Sequence, residues 1–186
     1  MNFYLEDVIN NIIDTEDVEK ILEKIEYFKN ISKYLICVFS NHQIYFKYTE
    51  SLLTDNKLKI VFYCMDTEFD IFNCPTIMTY RKHYDKENNE MNYYILLICT
   101  KHKYRNQGYA SKLLDEFIAT IKEKHNKNKY NKVKIILSSI EEAVLFYEAY
   151  GFKWTKNSLI HHPFLMKYEK YFEEKEYFIM ELDVNM

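Results

Sequence analysis

The stretch from Tyr93 to Leu114, YYILLICTKHKYRNQGYASKLL, decides the fold. Its first part, Tyr93 to Cys99, is apolar, aromatic and β-branched, and this composition predicts a buried strand. A polar turn follows this run. Beyond the turn, apolar residues recur at the spacing of an amphipathic helix: Ala110, Leu113, Leu114, Phe117, Ile118 and Ile121. The chain is therefore predicted to pass from strand through turn to helix.

Gly108 lies in this turn and is one of only 2 glycines in the chain. Because glycine has no Cβ, a ligand can approach its backbone closely, and the free amides of a helix's first turn attract anions. The turn therefore predicts a phosphate-binding site. It has neither the Gly-Lys-Ser/Thr of a P-loop nor the three glycines of the dinucleotide fingerprint. A strand-to-helix turn that needs one flexible residue is the alternative interpretation.

A second strand and helix follow the first pair. The run from Val133 to Ser139 predicts another buried strand, and a short helix then precedes Gly151 and Phe152. Two segments in this order resemble motifs of the GNAT superfamily of N-acetyltransferases. The hexapeptide RNQGYA, Arg105 to Ala110, is similar to the family's Arg/Gln-x-x-Gly-x-Gly/Ala signature, and AVLFYEAYGF, Ala143 to Phe152, is similar to its next motif.

The resemblance implies an α/β (α+β) fold of three layers, in which a mixed, mostly antiparallel central sheet is flanked by helices. The resemblance is clearest from Asn92 to Phe152. The order of the predicted strands and helices extends the resemblance to the chain from Ile31 onward. The residue patterns agree, because short apolar or alternating runs predict further strands at Tyr34 to Phe39, Lys57 to Met65, Ile77 to Tyr84 and Tyr177 to Leu182. The strands at Tyr93 and Val133 are joined by a helix, so we expect them to pair in parallel with a right-handed crossover.

The first thirty residues predict helix. After Asp14 and Thr15, either of which could cap a helix, apolar side chains share one face: Val18, Ile21, Leu22, Ile25 and Phe28. We therefore divide the chain into an N-terminal helical segment, 1–30, packed on a GNAT-like acetyltransferase domain, 31–186. Core packing and a contribution to acceptor specificity are both open for the segment.

The composition predicts a soluble globular protein, because 48% hydrophobic and 17% aromatic residues supply an ample core. No apolar run approaches the about 20 residues of a membrane span, and Glu6 and Asp7 stand where a targeting peptide would be positive. We expect no membrane association and a cytoplasmic location, with the nucleus as the alternative. Oligomeric state is open, since a tyrosine-rich surface suits either a core or a homodimer interface.

The cysteines and histidines predict neither disulfides nor a metal site. The 4 cysteines show no CxxC pairing and mostly lie in apolar runs, which favours reduced, buried thiols: Cys37, Cys64, Cys74 and Cys99. The 6 histidines do not cluster with carboxylates at ligand spacing. We therefore expect no metal.

The resemblance implies acetyl-CoA as cosubstrate. Its pantetheine arm would lie where the strands at Tyr93 and Val133 splay apart, against the main chain of Ile98, Cys99 and Thr100. Its pyrophosphate would be held by the turn, with the Arg105 side chain and the Ser111 hydroxyl as further donors. The residues implied are Arg105, Asn106, Gln107, Gly108, Tyr109, Ala110 and Ser111. Ser139 would offer a hydroxyl to the arm, since Ile140 stands where the family often has asparagine.

The implied chemistry is attack of an amine on a thioester. Tyr147 matches the tyrosine that in the family frequently protonates the departing thiolate, and a backbone N–H near Thr100 would stabilise the oxyanion. The alternative for Tyr147, one of 18 tyrosines, is packing of its helix. Cys99 is disfavoured as an acyl-enzyme nucleophile, because it lies in an apolar strand without an adjacent cation.

The general base is not identified by the sequence. Several family members carry a glutamate where this chain has Tyr94, which cannot act as a carboxylate base. A water relay through Tyr94 and direct action of His83 are alternatives. His161 and His162 could reach the site if their loop folds back over it, but a surface loop is the preferred interpretation.

The predicted function is transfer of the acetyl group of acetyl-CoA to a primary amine, on a small molecule or a protein, by direct attack in a ternary complex. The alternative is a non-catalytic acyl-CoA-binding module for regulation or interaction, which the missing carboxylate favours and the retained Tyr147 opposes. A basic run from Lys122 to Lys134 suggests nucleic acid. A helix from Tyr109 to His125 would carry its far end about 25 Å from the phosphate turn, so this run lies away from the site and we expect no nucleic-acid partner.

Overall fold

The structure is a computed structural model that describes residues 1–4, 58–67, 73–125, 130–168 and 176–184. The described strands are β1 (Asn2–Tyr4), β2 (Leu58–Tyr63), β3 (Thr76–Asp85), β4 (Glu90–Thr100), β5 (Lys132–Ile140), β6 (Lys153–Trp154) and β7 (Tyr177–Asp183). The described helices are α1 (Tyr109–His125), α2 (Glu141–Glu148) and α3 (Pro163–Tyr168), with 3-10 turns at His102–Tyr104 and Leu159–His161. No described helix is long and apolar enough to span a membrane.

The described strands form one sheet in the order β1-β2-β3-β4-β5-β7-β6. The neighbours β1 and β2, β5 and β7, and β6 and β7 are antiparallel, whereas β4 and β5 are parallel. The parallel ladder runs from the pair Glu90 and Lys132 to the pair Ile95 and Leu137, and α1 makes the connection. The predicted fold class, a mixed and mostly antiparallel sheet with helices, is confirmed.

The chain divides into two compact units. The first comprises Met1–Thr79 and Leu97–Phe117, and the second comprises Tyr80–Leu96 and Ile118–Met186. The predicted helix after Asp14 and the strand expected at Tyr34 to Phe39 lie outside the described residues. The division into 1–30 and 31–186 therefore stays a prediction.

In the first unit, β1 corrects the assignment of the whole N-terminus to helix. Its three residues pair with β2, and the Asn2 side chain donates to the carbonyl of Leu113 at 3.0 Å. The Asn2 amide also donates to Glu116 Oε2 at 2.7 Å. These partners are far away in sequence, so local periodicity carries no signal of them. The apolar face of α1 supplies the core of this unit with Leu113, Leu114 and Phe117, all buried as predicted.

A disulfide joins Cys64 and Cys74 in the first unit, with the Cα atoms 4.2 Å apart. The expectation of reduced thiols is wrong for this pair. Cys64 follows β2 and Cys74 precedes β3, and since these strands are neighbours in the sheet, their connection brings the two cysteines together. Cys99 is free and half-buried, in line with the prediction, and Cys37 lies outside the described residues.

In the second unit, β5 and β7 form the centre, with Ile135, Leu137 and Met180 buried. The hydroxyl of Tyr93 and Nε2 of His125 share a hydrogen bond of 2.7 Å, which joins β4 to the end of α1. The sequence did not predict α3 or the turn at Leu159–His161, because these segments are too short to show a period. They are held by Leu159 and Leu165, both buried.

Candidate active site

The turn between β4 and α1 has the backbone geometry of an anion-binding site. Two of its residues have positive φ, Asn106 at 61° and Gly108 at 76°. A turn of this kind points successive N–H groups toward one side. The Lys112 amide donates to the Gly108 carbonyl at 3.0 Å, which is the first bond of the helix. The amides of Tyr109, Ala110 and Ser111 precede that bond and are available to a ligand.

The space in front of Gly108 is open. A Cβ built on this residue would meet no described atom within 4 Å. The ring of Tyr109 packs at 6.0 Å from that of Tyr63, and its hydroxyl donates to the sulfur of Met65 at 3.3 Å. The side chain of Tyr109, the first residue of α1, is therefore held by contacts within the first unit.

The charged residues in the sequence of the turn and its flanks are all basic. No acidic residue occurs from Lys101 to Leu114, and the same stretch holds Lys103, Arg105 and Lys112. The Arg105 Nε donates to the Thr100 carbonyl at 3.4 Å, which leaves other N–H groups of an exposed guanidinium for an anion. The side-chain amide of Gln107 donates to the Lys103 carbonyl at 3.0 Å, and this hydrogen bond stabilises the turn.

The end of β4 holds the residues predicted to line the pantetheine arm. Ile98, Cys99 and Thr100 are half-buried, and the Thr100 hydroxyl shares a hydrogen bond of 2.9 Å with that of Thr76. Burial raises the pKa of the Cys99 thiol to about 11, and the opposing charge of Arg105 is too small to offset it. A thiol held neutral is a poor nucleophile, so the chemistry agrees with direct transfer.

In the second unit, the end of α2 orients Tyr147. Gly151, with φ at 87°, donates its amide to the Glu148 carbonyl at 2.8 Å, and the Phe152 amide donates to the Tyr147 carbonyl at 3.2 Å. These bonds make a Schellman motif. The motif brings the buried ring of Phe152 to 5.7 Å from that of Tyr147, and the Phe146 ring lies at 5.1 Å on the same helix.

Gly151→Ala is expected to lower the free energy of unfolding by about 1 kcal/mol, because alanine pays for a left-handed conformation that glycine adopts freely. The new Cβ would meet Leu182 Cδ1 at 3.7 Å, an ordinary contact, so the cost is conformational and not steric. Urea unfolding measures it. Ala149→Gly at the C-cap, where φ is −60°, serves as the reverse control. An unchanged midpoint in the Gly151 variant would contradict the Schellman assignment.

The Ser139 hydroxyl is less available to a pantetheine arm than the sequence suggested. Its side chain is 2% exposed, and its hydroxyl donates to the Ile140 carbonyl at 2.9 Å. A contact with the pantetheine arm would replace that bond. The role of Ser139 stays a prediction.

Tyr94 and His162 lie together in the second unit, with ring centroids 6.2 Å apart. Burial raises the pKa of Tyr94 to about 12, and the charges of Glu181, Asp85 and Glu90 add to this shift. His162 is only 8% exposed, whereas its neighbour His161 is exposed. The expectation that both histidines lie in a surface loop is therefore wrong for His162.

His83, the other proposed base, stacks on Phe164 of α3 with the centroids 4.8 Å apart. Arg81 lies 4.3 Å above the same ring.

An ion cluster that the sequence did not predict lies in the same unit, where Lys134 Nζ is 3.1 Å from Glu90 Oε2 and 3.8 Å from Glu181 Oε2. The three residues come from three different strands, so their spacing in the sequence does not predict the cluster. Among the described residues, no group of three His, Cys, Asp or Glu could hold a metal ion.

Comparison with solved structures supports the fold. The ribosomal-protein-S18-alanine N-acetyltransferase from Escherichia coli superposes with a TM-score of 0.57 at 11% identity, covering 100% of this chain and 96% of that one. A chain of the NatC complex bound to Gag peptide and CoA gives 0.53 at 18%, covering 84% and 89%. NAA60 from Arabidopsis thaliana in complex with acetyl-CoA gives 0.54 at 12%, covering 86% and 94%.

Comparison of the sequence with curated proteins finds no match. Residues 83–166 match the family described as acetyltransferase (GNAT) domain. Both motifs that carried the resemblance lie inside this range, as do the turn at Gly108 and the helix of Tyr147. Residues 83–166 are therefore similar to the acetyltransferase (GNAT) domain family.

Proposed function

We propose that the chain transfers the acetyl group of acetyl-CoA to a primary amine, on a small molecule or a protein, by direct attack in a ternary complex. The open, positively charged turn at Gly108 carries this proposal. Its amides would hold the pyrophosphate, and the main chain of Ile98 to Thr100 would hold the pantetheine arm. Acetyl-CoA supplies the thioester carbonyl that accepts the amine. Tyr147, whose ring contacts those of Phe146 and Phe152, would protonate the departing sulfur.

Thermal unfolding with and without acetyl-CoA tests the proposal. A ligand at 100 times its Kd that binds only the folded state adds about 2.7 kcal/mol. For a chain of this size we expect the Tm to rise by about 5–10 °C. Gly108→Asp should abolish the rise, because it puts a carboxylate in the open space where the pyrophosphate would lie. Aspartate tolerates positive φ better than most residues, so the variant is expected to fold.

Asn157→Asp is the matched control, since it adds the same charge at an exposed position in the second unit. It should keep the full rise in Tm. If acetyl-CoA stabilises neither the native chain nor the control, the proposal is wrong. If it stabilises Gly108→Asp equally well, the phosphates are bound elsewhere.

A second candidate function is a non-catalytic acyl-CoA-binding module. It is favoured by one observation, the presence of Tyr94 where several members of the superfamily carry a glutamate. This candidate predicts the same rise in Tm but no release of free CoA in the presence of amines. The two functions therefore differ in turnover and not in binding.

A further inference from the structure

The chain on either side of Cys64 contacts the residue at the helical end of the turn between β4 and α1. Met65 follows Cys64, and its sulfur accepts a hydrogen bond of 3.3 Å from the hydroxyl of Tyr109. Tyr63 precedes Cys64, and its ring lies 6.0 Å from the ring of Tyr109. Since Tyr109 is the first residue of α1, these contacts hold the helical end of the turn.

The chain after Cys74 contacts the other end of the same turn. The carbonyl of Pro75 accepts a hydrogen bond of 2.9 Å from the amide of Lys101. The hydroxyls of Thr76 and Thr100 share a further hydrogen bond of 2.9 Å. Thr100 ends β4 and Lys101 follows it, so these contacts hold the strand end of the turn.

The disulfide joins these two contact regions covalently within the first unit. Cys64 and Cys74 are separated by 10 residues in the sequence, and their Cα atoms lie 4.2 Å apart. Both side chains are fully buried. Because the geometry of a disulfide is specific, the bond limits how far the two backbone segments can move apart. The positions of Met65 and Pro75 are therefore constrained relative to each other, and with them the two ends of the turn.

The groups expected to receive the pyrophosphate lie between these two ends in the sequence or directly after them. Asn106 and Gly108 have positive φ within the turn, and the first free amides of α1 follow. An anion is held by several amides at once, so movement of either end of the turn misaligns them together. A turn that is ordered before binding also loses less conformational entropy when the ligand binds. Contacts at both ends therefore favour anion binding.

We propose that the Cys64–Cys74 disulfide and Met65 are positioning residues for acetyl-CoA, which hold the turn in the conformation that receives the pyrophosphate. This inference rests on the proposed function. The two positioning elements act on cosubstrate binding and not on the chemical step. Their loss is therefore expected to raise the KM for acetyl-CoA while leaving kcat within about twofold.

The first test compares Met65→Ala with Met166→Ala in the full chain. The two methionines have similar exposed fractions, 45% and 49%, and Met166 lies in the second unit. Isothermal titration with acetyl-CoA measures the Kd. We expect Met65→Ala to raise the Kd by about 5-fold, because the Tyr109 side chain must then be ordered on binding. Met166→Ala should keep it within about twofold of the native value. A native Kd in Met65→Ala overturns the inference.

The second test removes the cross-link with the double variant Cys64→Ala/Cys74→Ala, which adds no polar atom to the core. We expect its Kd for acetyl-CoA to rise by about 10-fold, since both ends of the turn are released. Lys134→Met controls for a general loss of stability, because it breaks ion contacts in the second unit and should keep the native Kd. A cysteine variant that binds as tightly as the native chain contradicts the proposal. The Met65 comparison decides the matter if that variant does not fold.

Hydrogen exchange of the Lys112 amide tests the positioning without any ligand. This amide makes the first hydrogen bond of α1, to the carbonyl of Gly108 at 3.0 Å. We expect it to exchange about 5-fold faster in Met65→Ala and at the native rate in Met166→Ala. An unchanged rate in Met65→Ala also overturns the inference. Failure of the proposed function is a separate result, because acetyl-CoA would then bind neither the native chain nor any variant.

Discussion

Tyr147→Phe is expected to lower kcat by about 100-fold while leaving the rise in Tm with acetyl-CoA unchanged. General acids contribute about 10²–10⁴-fold, and a thiolate needs less help in leaving than an amine or alkoxide, so the lower end applies. Phenylalanine keeps the ring contacts with Phe146 and Phe152 and removes only the hydroxyl. The loss therefore reports proton transfer and not packing. Steady-state release of CoA measures it.

Tyr150→Phe is the matched control for this experiment. Tyr150 follows Tyr147 by three residues, and its ring lies 5.4 Å from Phe146. It should keep kcat within about twofold, because its hydroxyl takes no part in the proposed proton transfer. A Tyr147→Phe enzyme that turns over at the native rate would show that the thiolate leaves unaided.

Lys134→Met is expected to lower the free energy of unfolding by about 2–3 kcal/mol. The substitution leaves Glu90 and Glu181 near each other without the ammonium between them. Breaking a fully buried pair costs about 3–5 kcal/mol. The side chains here are 17–24% exposed, so solvent reduces that cost. Urea unfolding at pH 7 gives the difference.

Lys132→Met controls for the loss of one positive charge, since Lys132 is exposed on the same strand. We expect it to change stability by less than about 0.5 kcal/mol. In Lys134→Met, the further change Glu181→Gln should recover part of the loss, because it removes one of the two uncompensated carboxylates. If that double variant is less stable still, the two glutamates do not interact through Lys134.

Strong local patterns predicted most of the described elements. The helix expected from Tyr109 to His125 has those limits, and its apolar face repeats over about three turns. The parallel pairing of β4 with β5 followed from the helix between them. Elements without a period were missed or misassigned. The strand β1 depends on partners in β2 and α1, and α3 is only 6 residues long.

The candidate site likewise has a part that the sequence predicted and a part that it did not. The turn at Gly108 was predictable because an anion cradle is made by consecutive backbone amides, so its parts are neighbours in sequence. The burial of His162 was not predictable, because it depends on Tyr94 and Phe164, whose rings lie on different elements. The disulfide between Cys64 and Cys74 was missed for a related reason, since its spacing of 10 residues becomes a contact only when β2 and β3 are neighbours.

The sequence by itself determined the succession of strand, glycine turn and helix, the second strand and helix with Tyr147, and through them the similarity to the acetyltransferase (GNAT) domain family. These features depend on local periodicity and on backbone conformations that particular residues permit. Only the tertiary structure decided which side chains face each other across β4, β5 and β7. The burial of His162, its ring nitrogens, which are unpaired among the described residues, and the charges around it depend on residues far apart in the chain. No local sequence pattern therefore predicts them.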